Sequence, residues 1–465
     1  MKFVANLRNE TIDAFAAQDI QPAAYLLSSH RITPSTLEAA ALVRSLDLPL
    51  FSDNGTKPLI TDTIDKFKDA AKEIRLSVKA LRRELGEIPR GQQVPRELRN
   101  KSSDLANEVI NHATKISKGI DSEELLEAQL SMNPTDLIAQ EDFATACLIG
   151  LDLEREITGW SISRFDTRNR RSLRLWKRVV EDPRCNGIRV YAVLSAVDYN
   201  TARSAGRLAA AWKATNLALG IAGIALDPSA TDFFVMGRAS LKLQKVAPRR
   251  YVRLAQILRG LADGYQESGG SVIQNFHCLG LGAPFLLPIP PAAHRQNTRL
   301  TTDATSPIHD AVRDRILYDP EKDGDRASTR EIVQRIMKGG DWPFLSPFSQ
   351  AFRERFGHQP EKARIAWETL GKPNITNQLL RTDNDLTDAL PLFADADEDL
   401  RKIASRTRIS HNHWVLGRIS EIFDATSTDG RREIALTAIE RVLAWSSMVT
   451  TRGLLAVIRV LNRNV

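Results

Sequence analysis

Strand-length apolar runs recur along the chain with helical patterns between them, and this alternation limits the fold more than any other feature. The runs fall at 23–28 (AAYLLS), 48–52 (LPLFS), 136–142 (DLIAQED), 188–195 (IRVYAVLS), 217–224 (LALGIAGI), 272–279 (VIQNFHCL) and 299–302 (RLTT). Helical periodicity occupies 35–46, where Ser35 or Thr36 is a possible cap, and 62–85, 103–116, 171–181, 201–214 and 249–264. Strands separated by helices pair in parallel through crossovers, and about seven or eight such steps favour closure over an open sheet. The expected fold is α/β, a (β/α)8 TIM barrel with an insertion and a helical C-terminal region. The main part of the barrel is expected over 1–315, a mostly helical insertion or linker over 316–400, and a barrel-closing helix with further C-terminal helices over 401–465. Charge, Gly and Pro rise over 318–350, which places the linker there.

A chain of 465 residues with 42% hydrophobic content can bury a large core, which excludes disordered and fibrous classes. Cys147, Cys185 and Cys278 are odd in number and far apart, arguing against a disulfide framework and for a reducing compartment. They also form no zinc-ligand cluster, so no metal is expected. The opening MKFVANLRNETIDAF lacks a signal peptide's apolar segment, and no long apolar run follows, so a soluble cytoplasmic protein without a membrane partner is expected. A formal charge of +7 mildly favours a polyanionic partner.

Barrel enzymes gather their chemistry at the C-terminal ends of strands, and three runs here end near an aspartate. In LPLFSDNGT, Asp53 follows a strand and Gly55 lets the backbone approach a ligand; the alternative is an aspartate capping the next helix. In DLIAQEDF, Asp142 lies beside Glu141, and a carboxylate there can accept two bonds from a planar donor pair such as a guanine edge. A capping or solvated acidic pair is equally open. In RLTTDATSPIHDA, Asp303 is placed to act as a nucleophile toward a sugar carbon. HCLGLGAP runs from His277 into a Gly280-x-Gly282 turn that admits backbone contacts to a substrate without matching a dinucleotide fingerprint. RFDTRNRRSLRLWKR packs Arg164, Arg168, Arg170, Arg171, Arg174, Lys177 and Arg178 around Trp176, suited to phosphate contacts or simply a solvated basic helix.

In order, these segments resemble the tRNA-guanine transglycosylase family, including its branch that inserts 7-deazaguanines into DNA. LPLFSDNGT is similar to the family's Ser-Asp-Ser-Gly-Gly turn, and AQLSMNPTDLIAQEDF puts Gln129, Asp136 and Asp142 on matching positions. Arg174 and Trp176 fall where the family has an Arg-Thr-x-x-Trp helix. LALGIAGIA resembles its Gly-Gly-Leu turn, which implies backbone contacts from Ala222 and Gly223. HCLGLGAP resembles Met-Gly-Val-Gly-Thr-Pro, and His411 with Asn412 in ISHNHWVLGRISEIF resembles the His-Asn helix that closes the barrel.

The resemblance implies a pentosyltransferase that exchanges guanine in a nucleic acid for a free 7-deazaguanine base through a covalent aspartyl-sugar intermediate. Asp303 would be its nucleophile, Asp53 would handle protons, and Asp142, Ser195, Ala222, Gly223, His277, Gly280 and Gly282 would line the base. Ser195 stands where the family has a glutamine, and the family's zinc-binding cysteines have no counterpart. The missing zinc segment points to DNA rather than tRNA as the polymer, with accessory modification proteins as further partners. Two alternatives stay open: a tRNA enzyme, and a barrel that only binds nucleic acid.

Overall fold

The computed structural model describes residues 1–7, 11–12, 14–15, 21–85, 94–151, 153, 161–220, 249–270, 272–294, 298–312, 316–320, 324–328, 398–424, 428–445 and 457–461. Eight parallel strands close into a barrel in sequential order. They are β1 (Lys2–Asn6), β2 (Tyr25–Ser28), β3 (Leu50–Asp53), β4 (Asp136–Ile138), β5 (Arg189–Leu194), β6 (Asn216–Gly220), β7 (Asn275–Leu279) and β8 (Arg299–Ala304). The helices among them are α1 (Pro34–Ser45), α2 (Thr56–Leu85), α3 (Arg96–Gly119), α4 (Ser122–Leu130), α5 (Ala144–Leu151), α6 (Ile162–Val180), α7 (Tyr199–Ala211), α8 (Arg249–Glu267) and α9 (Ile289–Ala293). After β8 come α10 (Ser306–Val312), the hairpin β9 (Ile316–Asp319) and β10 (Asp325–Ser328), α11 (Glu398–Asp424) and α12 (Thr428–Trp445). The TIM barrel and the helical C-terminal region expected from the alternating pattern are therefore present. No helix among the described residues is long and apolar enough to cross a membrane.

The differences from expectation are local. β1 was not foreseen, because its KFVAN segment is short and begins with a lysine. α1 is capped by Thr33, with Pro34 in the first turn and a reciprocal Thr33–Thr36 box, rather than by Ser35 or Thr36. The run at 136–142 is a strand only over Asp136–Ile138. At the end of that strand the carbonyls of Ile138 and Ala139 accept from the Gln129 and Asn54 side chains, at 2.9 Å each. In the expected linker, Ile316–Asp319 and Asp325–Ser328 pair antiparallel, Ile316 opposite Ser328 and Asp319 opposite Asp325.

The chain divides into two compact units, 1–25 with 282–287 and 303–425, and 26–281 with 288–302 and 426–465. In the second, side chains from alternate strands form an interior layer. The rings of Phe51 on β3 and His277 on β7 stack with centroids 5.0 Å apart, and Tyr191 on β5 lies 5.8 Å from Phe51. Below this layer Asp136, wholly buried, binds Arg189 through both oxygens at 2.7 and 2.6 Å and accepts from the Tyr191 hydroxyl at 3.0 Å. A buried carboxylate needs such partners, so this network seats the N-terminal ends of β4 and β5.

In the first unit α11 locks β9 in place. The Asn412 side chain accepts from Tyr318 N at 2.9 Å and donates to the carbonyls of Ile316 at 3.0 Å and Pro307 at 3.2 Å. His411 Nε2 donates to the Tyr318 carbonyl at 2.7 Å, and the Arg408 guanidinium donates to the Ala311 carbonyl at 2.8 Å. All three side chains are buried, so the motif that resembles a barrel-closing helix works here by satisfying backbone groups.

Candidate functional site

The turn after β3 is built from its own polar side chains. Phe51 points into the barrel, so strand alternation carries Asp53 to the same face two residues later, toward the C-terminal mouth. Asp53 Oδ1 accepts from Asn54 N at 2.9 Å. Asn54, rather than Asp53, accepts from Thr56 N, at 3.1 Å, and so supplies the bond that begins α2. The Asn54 amide donates to the Ala139 carbonyl at 2.9 Å, which fixes its orientation and leaves Oδ1 facing the Thr56 hydroxyl, a second bonded partner. Gly55 has φ of 69°, and a Cβ there would lie 2.7 Å from His30 Cβ, so the close approach it permits is to the loop after β2.

Across this turn lies the loop after β4. The Thr56 hydroxyl is 3.1 Å from Glu141 Oε1. Glu141 is buried, and that burial pushes its carboxyl up to about 7; the Asp53 and Asp142 charges push the same way, against the Thr56 and Asn54 hydrogen bonds. Asp142 is 1% exposed, and both of its oxygens are engaged. Oδ1 accepts from Ala144 N at 3.2 Å, and Oδ2 accepts from Arg168 at 3.0 Å and Arg171 at 3.5 Å. Asp142 thus caps α5 while pairing with two arginines on α6.

That helix sorts the seven basic residues of 164–178 into two faces. Arg164, Arg168 and Arg171 are half-buried, whereas Arg170, Arg174, Lys177 and Arg178 are exposed. From the inner face Ser172 Oγ accepts from Asp142 N at 3.0 Å. Asn169 holds Ser195 by its backbone, accepting from Ser195 N at 2.8 Å and donating to Ser195 O at 3.0 Å. Trp176 is a core residue whose indole donates to the Val190 carbonyl at 3.1 Å, not a free stacking platform. One helix therefore positions the mouth loops after β4 and β5 and also presents cations to solvent.

No family model and no curated protein matches this chain. The placement of each expected residue therefore rests on geometry alone. Asp53 and Asp142 both lie close enough to Glu141 for their charges to act on it, Glu141 meets Thr56, and Asp142 meets Arg168. Ser195 directly follows the next strand, β5. His277 sits in the closed interior layer, with Nδ1 2.9 Å from Thr301 Oγ1, and Gly280 turns the chain with φ of 80°. Ala222 and Gly223 lie outside the described residues.

In the other unit Asp303, 8% exposed at the end of β8, accepts from Asn6 Nδ2 at 3.2 Å. Gly282 packs where a Cβ would overlap Ala304 and Ser306, so its lack of a side chain serves close packing against the chain that follows β8.

Among the described residues no group of three or more His, Cys, Asp or Glu side chains is placed to hold a metal ion. The three cysteines are buried and form no disulfide with one another, and burial pushes the Cys147 thiol up to about 12, which keeps it from acting as a thiolate. Glu141, Thr56, Asn169 and Asn6 were not singled out by sequence reasoning. Only the Glu-Asp doublet after an apolar strand offered a signal for the first of them.

Proposed function

We propose that the protein is a transglycosylase that exchanges guanine in DNA for a 7-deazaguanine base through a covalent aspartyl-sugar intermediate. The observation that carries this reading is the group of half-buried Asp53 with buried Glu141 and Asp142 at the mouth ends of β3 and β4, backed by a helix whose outer face is basic. A barrel that only bound phosphates would gain nothing from burying acidic groups beside its cations.

In this reaction the Asp303 carboxylate attacks C1′ as the purine leaves, and the entering base displaces it, so the sugar keeps its configuration. Asp142 reads the donor edge of the purine, with Ser195, Gly280 and Gly282 near the base and Asp53 managing protons. Because Asp142 is held by Arg168 and Arg171, reading a base requires those guanidinium groups to turn away, and backbone phosphates are the natural acceptors. Arg170, Arg174, Lys177 and Arg178 supply the exposed cations that hold the polymer while a nucleotide leaves its stack. The reading places the enzyme in the cytoplasm, with accessory modification proteins as further partners and no cofactor.

The full engagement of Asp142 favours a second reading, a barrel that binds nucleic acid without chemistry. Incubation with labelled 7-cyano-7-deazaguanine and either duplex DNA or tRNA separates the possibilities. Label in DNA supports the proposal, label in tRNA alone assigns the parent activity, and tight binding with no label in either supports the second reading.

A further inference from the structure

Asn6 and Asp303 meet at the seam where the barrel closes, since β1 and β8 are neighbours in the closed sheet. On β1, the Phe3 ring packs against His413 of α11, so alternation turns Val4 and Asn6 to the opposite face, the barrel interior. On β8, Thr301 meets His277 of the interior layer, and Asp303 follows two residues later on the same face at the mouth end. The two side chains are joined by a buried hydrogen bond, Asn6 Nδ2 donating to Asp303 Oδ2 at 3.2 Å. An ionised carboxylate only accepts, so the amide nitrogen is the end of Asn6 that faces it.

The donor is held from behind. Thr11 Oγ1 donates to the Asn6 carbonyl at 3.0 Å, Ser410 Oγ of α11 donates to the Ala14 carbonyl at 2.6 Å, and the Phe15 ring meets His413 with centroids 5.0 Å apart. The chain leaving β1 is thus pinned to α11, and Asn6 donates from a fixed place.

We propose that Asn6 is the positioning residue of the Asp303 nucleophile and sets how readily the aspartyl-sugar ester breaks down. This inference rests on the base-exchange reading. In the first step a carboxylate oxygen of Asp303 bonds to C1′ as C1′–N9 breaks, and the electron pair goes to the purine nitrogen, which takes a proton. In the second the entering base gives up its ring N–H proton as its nitrogen bonds C1′, and the electron pair of the ester C–O bond returns to Asp303. The proton taken and the proton released are those the reading assigns to Asp53. An amide N–H bonds more strongly to a charged carboxylate than to a neutral ester oxygen, so Asn6 favours departure of Asp303 from C1′. Asn6 thereby shortens the life of an ester that water could hydrolyse.

The test follows the adduct itself, in the full-length protein. Protein and guanine-containing duplex DNA are incubated without an entering base, the covalent adduct is quantified on denaturing gels, and 7-cyano-7-deazaguanine is then added to chase it. Asn6→Leu removes the donor and keeps the volume. The first-order decay of the adduct should slow by about tenfold in Asn6→Leu, while its formation slows by a smaller factor. That decay constant does not depend on how much of the variant folds, so a merely structural role for Asn6 leaves it at the wild-type value, and this result overturns the proposal. Asn6→Ala carries the same prediction if the leucine variant does not fold. A wild type that forms neither adduct nor exchanged DNA defeats the base-exchange reading, and the role of Asn6 falls with it.

Discussion

Arg168 on α6 donates to Asp142 Oδ2 at 3.0 Å, joining the mouth of β4 to a helix that also carries exposed cations. The pair is shielded, with side-chain exposures of 18% and 1%. Removing one partner of such a pair strands the other's charge, whereas deleting a solvated arginine on the same helix does not. Arg168→Ala should therefore cost about 2 kcal/mol or more, moderated by Arg171, while Arg170→Ala should stay within about 0.5 kcal/mol. Urea denaturation of the two variants checks the difference, and equal effects would mean that the pair contributes nothing to the fold.

Glu141 makes a signed prediction about pH. Its carboxyl is raised from 4.5 to about 7 in the folded protein, so the native state binds the extra proton between those values. Its contribution is complete below pH 4.5 and is lost as pH rises through about 7. The loss is on the order of 3 kcal/mol. Glu141→Gln should remove this slope, so the variant gains on wild type from pH 5 to pH 8 in paired denaturation curves.

The opposite sign holds for three buried histidines. His294, His411 and His413 are each lowered by burial from 6.5 to about 4, so the unfolded chain binds the protons first. Their contribution is complete above pH 6.5 and is lost as pH falls through about 4. Stability measured by denaturant should therefore fall steeply on acidification below pH 6.5, and His413→Phe, which keeps a ring against Phe3 and Phe15, should make that fall shallower.

Gly282 tests packing at the end of β8. A Cβ there overlaps Ala304 Cβ, which has no rotamer to escape into, and Ser306 Oγ. Gly282→Ala should destabilise by about 1–3 kcal/mol, read as a lowered thermal midpoint. An unchanged midpoint would show that the strand end yields freely.

Much of the barrel was legible because its strands are apolar runs and its helices keep a clear period. β1 escaped because five residues beginning with a lysine give alternation little room. α3 reaches back to Arg96, beyond the expected 103–116, because RELRNK has one apolar residue and carries no stripe to read. At the site, Asp53 and Asp142 stood out by their place after strands. The state of Glu141 did not, since it depends on Thr56, 85 positions away in sequence, and on burial that no local pattern records. The basic stretch showed its density but not its two faces, although the spacing of 164, 168 and 171 against 170, 174, 177 and 178 follows the helical repeat.

The exposed half of that stretch predicts a salt response. Removing one arginine that neutralises a phosphate should flatten the dependence of log affinity on log salt by about 0.9. Arg174→Ala should therefore weaken duplex binding and reduce the slope by about one, measured by anisotropy over a salt series. Arg168→Ala should also reduce the slope, because the proposed reading of a base turns that guanidinium from Asp142 to a backbone phosphate.

The most direct measurement counts guanine released from duplex DNA against 7-deazaguanine incorporated, in wild type and in Asp303→Asn. Base exchange through an aspartyl-sugar intermediate predicts one guanine released for each base incorporated, and neither event in the variant although it still binds DNA. Release without incorporation, or exchange in Asp303→Asn at the wild-type rate, would contradict it.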